Sequence, residues 1–136
     1  FALRTYHIDF QSLWRDEVDA ILFATDDLSN AFTMFTRPGE NGPLYFLLLR
    51  PWIAFLGHTE FATRYFSLLW GLLSIPLLYQ FGRRLISAEG GQVAAFLVAL
   101  SPYLVWYSQE TKMYSLLLFL SILSGWSLIN ALQNWG

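Results

Sequence analysis

From Tyr65 to Trp135 the only charged side chains are Arg83, Arg84, Glu89, Glu110 and Lys112, gathered in two short clusters. Between the clusters run apolar stretches over residues 61–81, about 91–107 and about 113–132. At about 1.5 Å per helical residue each approaches the ~30 Å hydrocarbon core of a bilayer, the second only marginally. Charged residues make up 13% of the 136-residue chain and the mean hydropathy is +0.41. A soluble domain usually carries about 25% charge, so this chain lacks the polar surface to cover itself in water. The expectation is an all-α integral membrane protein of about three transmembrane helices, with juxtamembrane amphipathic helices outside the bilayer. Pro76 and Pro102 lie inside or near the ends of spans, where membrane helices tolerate them. Tyr65, Tyr79, Tyr103, Trp106, Tyr107, Tyr114 and Trp135 gather near the predicted ends, as an aromatic belt at the headgroups requires.

A fourth apolar stretch, Pro43 to Gly57, holds Arg50-Pro51 in its middle and would reach only about 22 Å as a helix. Its length suits a helix lying at the surface or dipping partly in. Upstream, Trp14, Val18, Ile21 and Leu22 form a helical stripe, with Asp16 and Asp19 on another face. After a break at Asp26-Asp27, Leu28, Ala31, Phe32 and Phe35 repeat the pattern, and Arg37 to Pro43 reads as a turn-rich loop. Residues 1–60 are therefore expected to form a loop region with juxtamembrane helices, and 61–136 the transmembrane region. Arg83-Arg84 is the only basic pair in a short loop, so the positive-inside rule places it in the cytoplasm. Residues 1–60 and the 108–112 loop then share the external face. The arginines at 4, 15, 37, 50 and 64 pull against this assignment, and a crossing by 43–57 would put the two acidic loops on opposite faces.

Two acidic clusters could carry chemistry. Asp16-Glu17-Val18-Asp19 opens a helix beside the bilayer, where free backbone N–H groups and the helix dipole stabilise negative charge. Carboxylates there can act as a general base or hold a divalent cation against a lipid phosphate; equally, they can cap a helix and face water. Ser108-Gln109-Glu110-Thr111-Lys112 lies in a tight loop between two spans, with Glu110 and Tyr114 as i, i+4 neighbours if the next helix begins there. A lone acid at a span boundary is also an ordinary interfacial marker. Arg64 could pair with a carboxylate, bind a phosphate through its fork, or snorkel to the headgroups. His7 and His58 lack the spacing of a zinc site. The absence of cysteine excludes disulfides, and a net charge of −2 argues against a nucleic-acid partner. Spans nearly free of ionisable groups argue against an ion pathway. The chain opens on Phe1 without a signal-peptide pattern and reads as a fragment of a longer protein.

The blocks Ser12 to Glu17, Gly42 to Leu49, Gly57 to Arg64, Pro76 to Leu85, and Ser101-Pro102 through Tyr107 to Tyr114 occur in this order along the chain. In that order they resemble the N-terminal part of polytopic GT-C glycosyltransferases. The nearest likeness is to the branch related to protein O-mannosyltransferases, lipid A aminoarabinose transferase and the RgtA/B/C/D-like enzymes. The resemblance implies transfer of a sugar from a polyprenyl-phosphate carrier to an acceptor on the external face of a bacterial-type cell membrane. It implies a catalytic role for Asp16 and its neighbour Glu17, and substrate binding by Glu110, Gln109, Lys112 and Arg64, with no assigned metal beyond the option of a divalent cation. Membrane lipid and the lipid-linked sugar are the implied partners. The chain departs from the pattern in having Asn41-Gly42-Pro43 where His-Pro-Pro or Lys-Pro-Pro is common, and Lys112 where arginine is frequent. A different reading is an accessory, non-catalytic subunit that meets other integral membrane subunits through small residues at 71, 74, 121, 124 and 125.

Overall fold

The computed structural model describes residues 1–33 and 42–135, and every regular element among them is a helix. The expected loop from Arg37 to Asn41, and Phe35 of the second apolar repeat, lie outside the described residues. A four-residue helix α1 (Ala2–Thr5) is followed by α2 (Arg15–Thr25) and α3 (Leu28–Thr33). Next come α4 (Leu44–Leu56), α5 (Glu60–Leu85), α6 (Ala88–Leu100), α7 (Pro102–Ser108) and α8 (Tyr114–Asn134).

Two of these, α5 and α8, are long and apolar enough to cross a membrane, and α6 with α7 makes a third crossing if the bent pair is one span. α5 begins where the Thr59 hydroxyl accepts a hydrogen bond from the Ala62 N–H at 3.2 Å, with Glu60 in its first turn. It ends with Arg83 and Arg84 in its last turn, so the charge at each end complements the helix dipole. Its 26 residues span about 39 Å. α8 runs alongside in the same direction, since Phe119 stacks near Trp70 at the start and Gln133 meets Arg84 at the end.

The apolar run expected as one span over 91–107 is interrupted, with α6 and α7 meeting at 60°. Pro102 is the cause. It occupies the first position of α7, which Ser101 caps by accepting from the Leu104 N–H. Having no N–H, Pro102 cannot bond the Val98 carbonyl one turn back. Arg4 supplies the missing donor: its guanidinium reaches the Val98 and Leu104 carbonyls at 2.8 Å each, and the side chain is buried.

Small residues set how closely the helices approach. A Cβ on Gly91 would stand 2.6 Å from the Tyr79 carbonyl and 2.8 Å from the Arg83 nitrogen, both backbone atoms, so α6 touches the main chain of α5. Gly71 likewise lies against Ser108, and Gly125 against the ring of Phe81. Gly71, Ser74 and Gly125, expected to serve partner helices, thus pack within this chain, while Ser121 and Ser124 stay exposed on α8.

Outside the long helices, a core of Ala20 and Ala24 (α2), Tyr45, Phe46, Leu49 and Ile53 (α4), Phe66 (α5) and Leu116 (α8) holds the juxtamembrane layer down. α4 is too short to span, as its length implied, and it packs on α2 and α5. It closes at Gly57, whose φ of +81° with an extended ψ is open essentially only to glycine. α2 buries Ala20 and Ala24, whereas Trp14, Val18 and Leu22 of the expected apolar stripe are exposed. Small residues let α2 approach α4, and the large apolar ones stay exposed.

Replacing Gly91 by leucine is expected to destabilise the protein by about 1–3 kcal/mol, since the clash is with backbone that cannot step aside. Thermal unfolding in detergent should show the loss, while the same change at exposed Ser121 should leave the midpoint in place.

Candidate functional site

The residues singled out in the two acidic segments come together at the end of the spans where α5 begins. Glu17 is the junction. Its side chain is 2% exposed, and each carboxylate oxygen accepts two hydrogen bonds. Oε1 accepts from Arg64 Nε at 2.9 Å and from the Thr111 N–H at 2.8 Å. Oε2 accepts from Arg64 Nη2 at 2.7 Å and from the Trp14 N–H at 3.0 Å. Residues 47 and 94 positions apart in sequence are tied to one carboxylate, which joins the start of α2, the start of α5 and the α7–α8 loop. Burial raises the Glu17 pKa. The hydrogen bonds from Arg64, Thr111 and Trp14, with the Arg64 charge, outweigh it and hold the carboxyl below the usual glutamate range.

Arg64 is as fully engaged as its partner. Besides the Glu17 contacts, Nη1 donates to the Ile8 and Gln11 carbonyls at 2.8 Å each, and Nη2 donates to Ser12 at 3.3 Å. All five guanidinium N–H donors are taken up inside the chain. Of the roles open to Arg64 from sequence, pairing with a carboxylate is the one the structure shows, and no donor remains for a phosphate. The loop is held from a second side: Tyr45 Oη and Ser67 Oγ are 2.8 Å apart, and Ser67 donates to the Lys112 carbonyl at 3.1 Å. Gln109 donates to the Arg4 and Tyr6 carbonyls, fixing residues 1–6 against the same loop.

Asp16 differs from Glu17 in every respect but chemistry. One residue earlier in the first turn of α2, its side chain is 73% exposed and lies 3.3 Å from the Lys112 ammonium. Asp16, Glu17, Glu110 and Lys112 line one cleft of about 290 Å³, whose walls include Trp14, Tyr107 and Tyr114. Glu110 is half-buried, with Oε1 accepting from the Trp106 indole N–H at 2.7 Å. A second cleft, of about 260 Å³, shares Trp14 and Glu110 and is lined further by Tyr6, Phe10, Trp106 and Gln109. His7 lies between the rings of Tyr6 and Phe10 at 4.1 and 4.9 Å.

The sequence singled out Asp16, Glu17, Glu110 and Lys112 of the first cleft, but not Arg15, which also lines it. It did not signal the Thr111 N–H as a ligand of Glu17, the anchoring role of Arg4, or Trp14 and Tyr107 as cleft walls. Their contacts are long-range in sequence, and the aromatic residues are equally at home in a headgroup belt. Among the described residues no three His, Cys, Asp or Glu side chains gather to hold a metal ion. Asp16 and Glu110 would offer a divalent cation two carboxylates, one of them already beside Lys112.

An all-helical membrane protein whose acidic and basic side chains are concentrated at the ends of apolar spans is thereby defined. The chain belongs to the dolichyl-phosphate-mannose-protein mannosyltransferase family, whose sequence profile matches residues 38–135, nearly three quarters of its length. Membership sets it among membrane glycosyltransferases that work with lipid and lipid-linked sugar. Arg64, Gln109, Glu110 and Lys112 lie inside the matched region, and Asp16 and Glu17 precede it. No characterised protein and no solved structure gives a significant match.

Removing one partner of the buried pair, by Glu17→Ala, is expected to cost about 3–5 kcal/mol, because the Arg64 charge is left without its counter-ion. Glu17→Leu with Arg64→Leu should cost less than the sum of the single changes. The pH dependence follows from a depressed carboxyl. Its contribution is complete above the ordinary glutamate value of 4.5 and is lost as pH falls through the lower folded-state value. Unfolding midpoints in detergent should drop below that pH in the native chain, and Glu17→Gln should remove this group's share of the drop.

Proposed function

We propose that this chain is the N-terminal portion of a membrane glycosyltransferase that moves a sugar from a polyprenyl-phosphate carrier to an acceptor hydroxyl on the external face. One observation carries the reading: a solvent-exposed Asp16 carboxylate faces the same cleft as Lys112 and Glu110, at a membrane-proximal end of the spans. Family membership supports a lipid-linked sugar as donor.

Asp16 is the base. The acceptor oxygen forms its bond to the anomeric carbon as its proton passes to the Asp16 carboxylate. The bond from that carbon to the carrier phosphate breaks, and the electron pair leaves with polyprenyl phosphate. The Lys112 ammonium, 3.3 Å from Asp16, supplies positive charge where the phosphate charge develops. Glu110 is left with one carboxylate oxygen outside its bond to Trp106, suited to accept from a sugar hydroxyl. Glu17, Arg64 and Gln109 act through others as positioning residues: their polar atoms are spent on holding residues 4–17 and the 109–113 loop together. On this reading Glu17 belongs to the scaffold of the cleft rather than to its reacting groups. No step is routed through a cation.

The test is sugar transfer by the full-length protein in membranes. Asp16→Asn is expected to lower kcat by about 10²–10⁴ while leaving the unfolding midpoint unchanged, since the side chain is exposed. Glu17→Gln should lower activity and stability together. Full transfer by Asp16→Asn would overturn the assignment of the base. Copurification of the wild-type chain with larger membrane proteins, and no transfer with any carrier lipid, would favour an accessory subunit instead.

A further inference from the structure

About 30 Å along α5 from Arg64, the other end of the spans carries two arginines. Gln80, Arg83 and Arg84 from α5 and Trp126 from α8 line a cleft of about 430 Å³. The two guanidiniums differ from the buried arginines, Arg4 and Arg64. Arg4 is spent on the Val98 and Leu104 carbonyls and Arg64 on five acceptors. Arg84 makes one bond, donating from Nε to Gln133 Oε1 of α8 at 2.7 Å, which leaves both terminal nitrogens unspent. Arg83 makes no hydrogen bond or ion pair among the described residues.

We infer that this cleft binds the phosphodiester headgroup of an anionic phospholipid, with Arg83 and Arg84 as its ligands and Trp126 as its floor. The chemistry is that of a phosphate: guanidinium forks match its oxygens in paired hydrogen bonds, and Gln80 offers an uncharged donor beside them. The place is that of a lipid. The cleft lies between two span-length helices near the end of their apolar surface, and it is lined by an indole ring, a side chain suited to the headgroup region. Basic pockets of this kind between membrane helices hold acidic headgroups. Attraction of arginine to a helix C-terminus or to headgroups in general accounts for two charges at this position. It does not account for one guanidinium being tied to the neighbouring helix through Gln133 while both line one open cleft with Trp126. The site is remote from the acidic cleft and does not depend on the proposed transfer reaction.

Native mass spectrometry of the full-length protein in mild detergent tests this directly, with phosphatidylglycerol added in one series and phosphatidylcholine in another. The expected result is retention of phosphatidylglycerol in preference to phosphatidylcholine. Arg83→Gln or Arg84→Gln should weaken it by about fivefold each, and the double variant by roughly 25-fold. Arg83→Lys with Arg84→Lys keeps the charge but removes the forks, so it should recover only part of the affinity. The unfolding midpoint without lipid should be unchanged in Arg83→Gln, whose side chain is exposed. Equal retention of both lipids would overturn the proposal, as would the Gln double variant binding like wild type. Full displacement by millimolar inorganic phosphate would assign the site to a free phosphate and overturn the lipid.

Discussion

Everything at the acidic end of this protein depends on one carboxylate being taken out of water. Moving Glu17 and Arg64 into the interior costs several kcal/mol per ion, and a bare contact between them would not repay it. The structure meets the cost by saturation. Four donors converge on Glu17 and five acceptors on Arg64, drawn from α2, α5, the α7–α8 loop and the segment between α1 and α2. Because each partner is satisfied only when all of these segments are in place, the pair functions as a registration device. It sets Asp16, one residue before Glu17, opposite Lys112, one residue beyond Thr111. Adjacent acids thereby acquire opposite environments: one is sealed and depressed in pKa, the other open to solvent and to whatever enters the cleft.

This division of labour was half legible in the sequence. The spacing of apolar runs located the two long helices α5 and α8 within a few residues, because hydrophobic length is a one-dimensional property, but it did not reveal the 60° break between α6 and α7. The polar residues of the cleft stood out for a related reason, since charge near an apolar run is rare enough to be noticed. What sequence could not distinguish was Asp16 from Glu17. They are neighbours in one helical turn, and only the position of Arg64, 47 residues on, decides which is buried. Which face of α2 packs was likewise not legible, since only α4 decides that Ala20 and Ala24 are buried while Trp14, Val18 and Leu22 stay exposed.

The molecule is strongly polarised along α5. At one end carboxylates predominate, with Arg4 and Arg64 buried and fully engaged among them; at the other, two exposed arginines stand with most of their donors unspent. The apolar packing between these ends is close enough that backbone meets backbone at Gly91, which makes α5 and α6 a rigid spacer between two chemically distinct surfaces. Within the chain the exposed outer face of α8, with Leu117, Leu128 and Leu132, is left to lipid or to further helices.

The bond from Arg4 to the Val98 carbonyl bears on how such a chain is made. Pro102 leaves that carbonyl without a backbone donor inside an apolar segment, and hydrocarbon offers none. The second crossing is therefore not self-sufficient when it leaves the ribosome. Its broken hydrogen-bond ladder is completed by a residue synthesised 94 positions earlier, which has to wait near the membrane surface until α6 and α7 arrive. Arg4 can close the break only once α6 and α7 are in place. A quality-control protease sampling the nascent protein would meet an open break until Arg4 closes it.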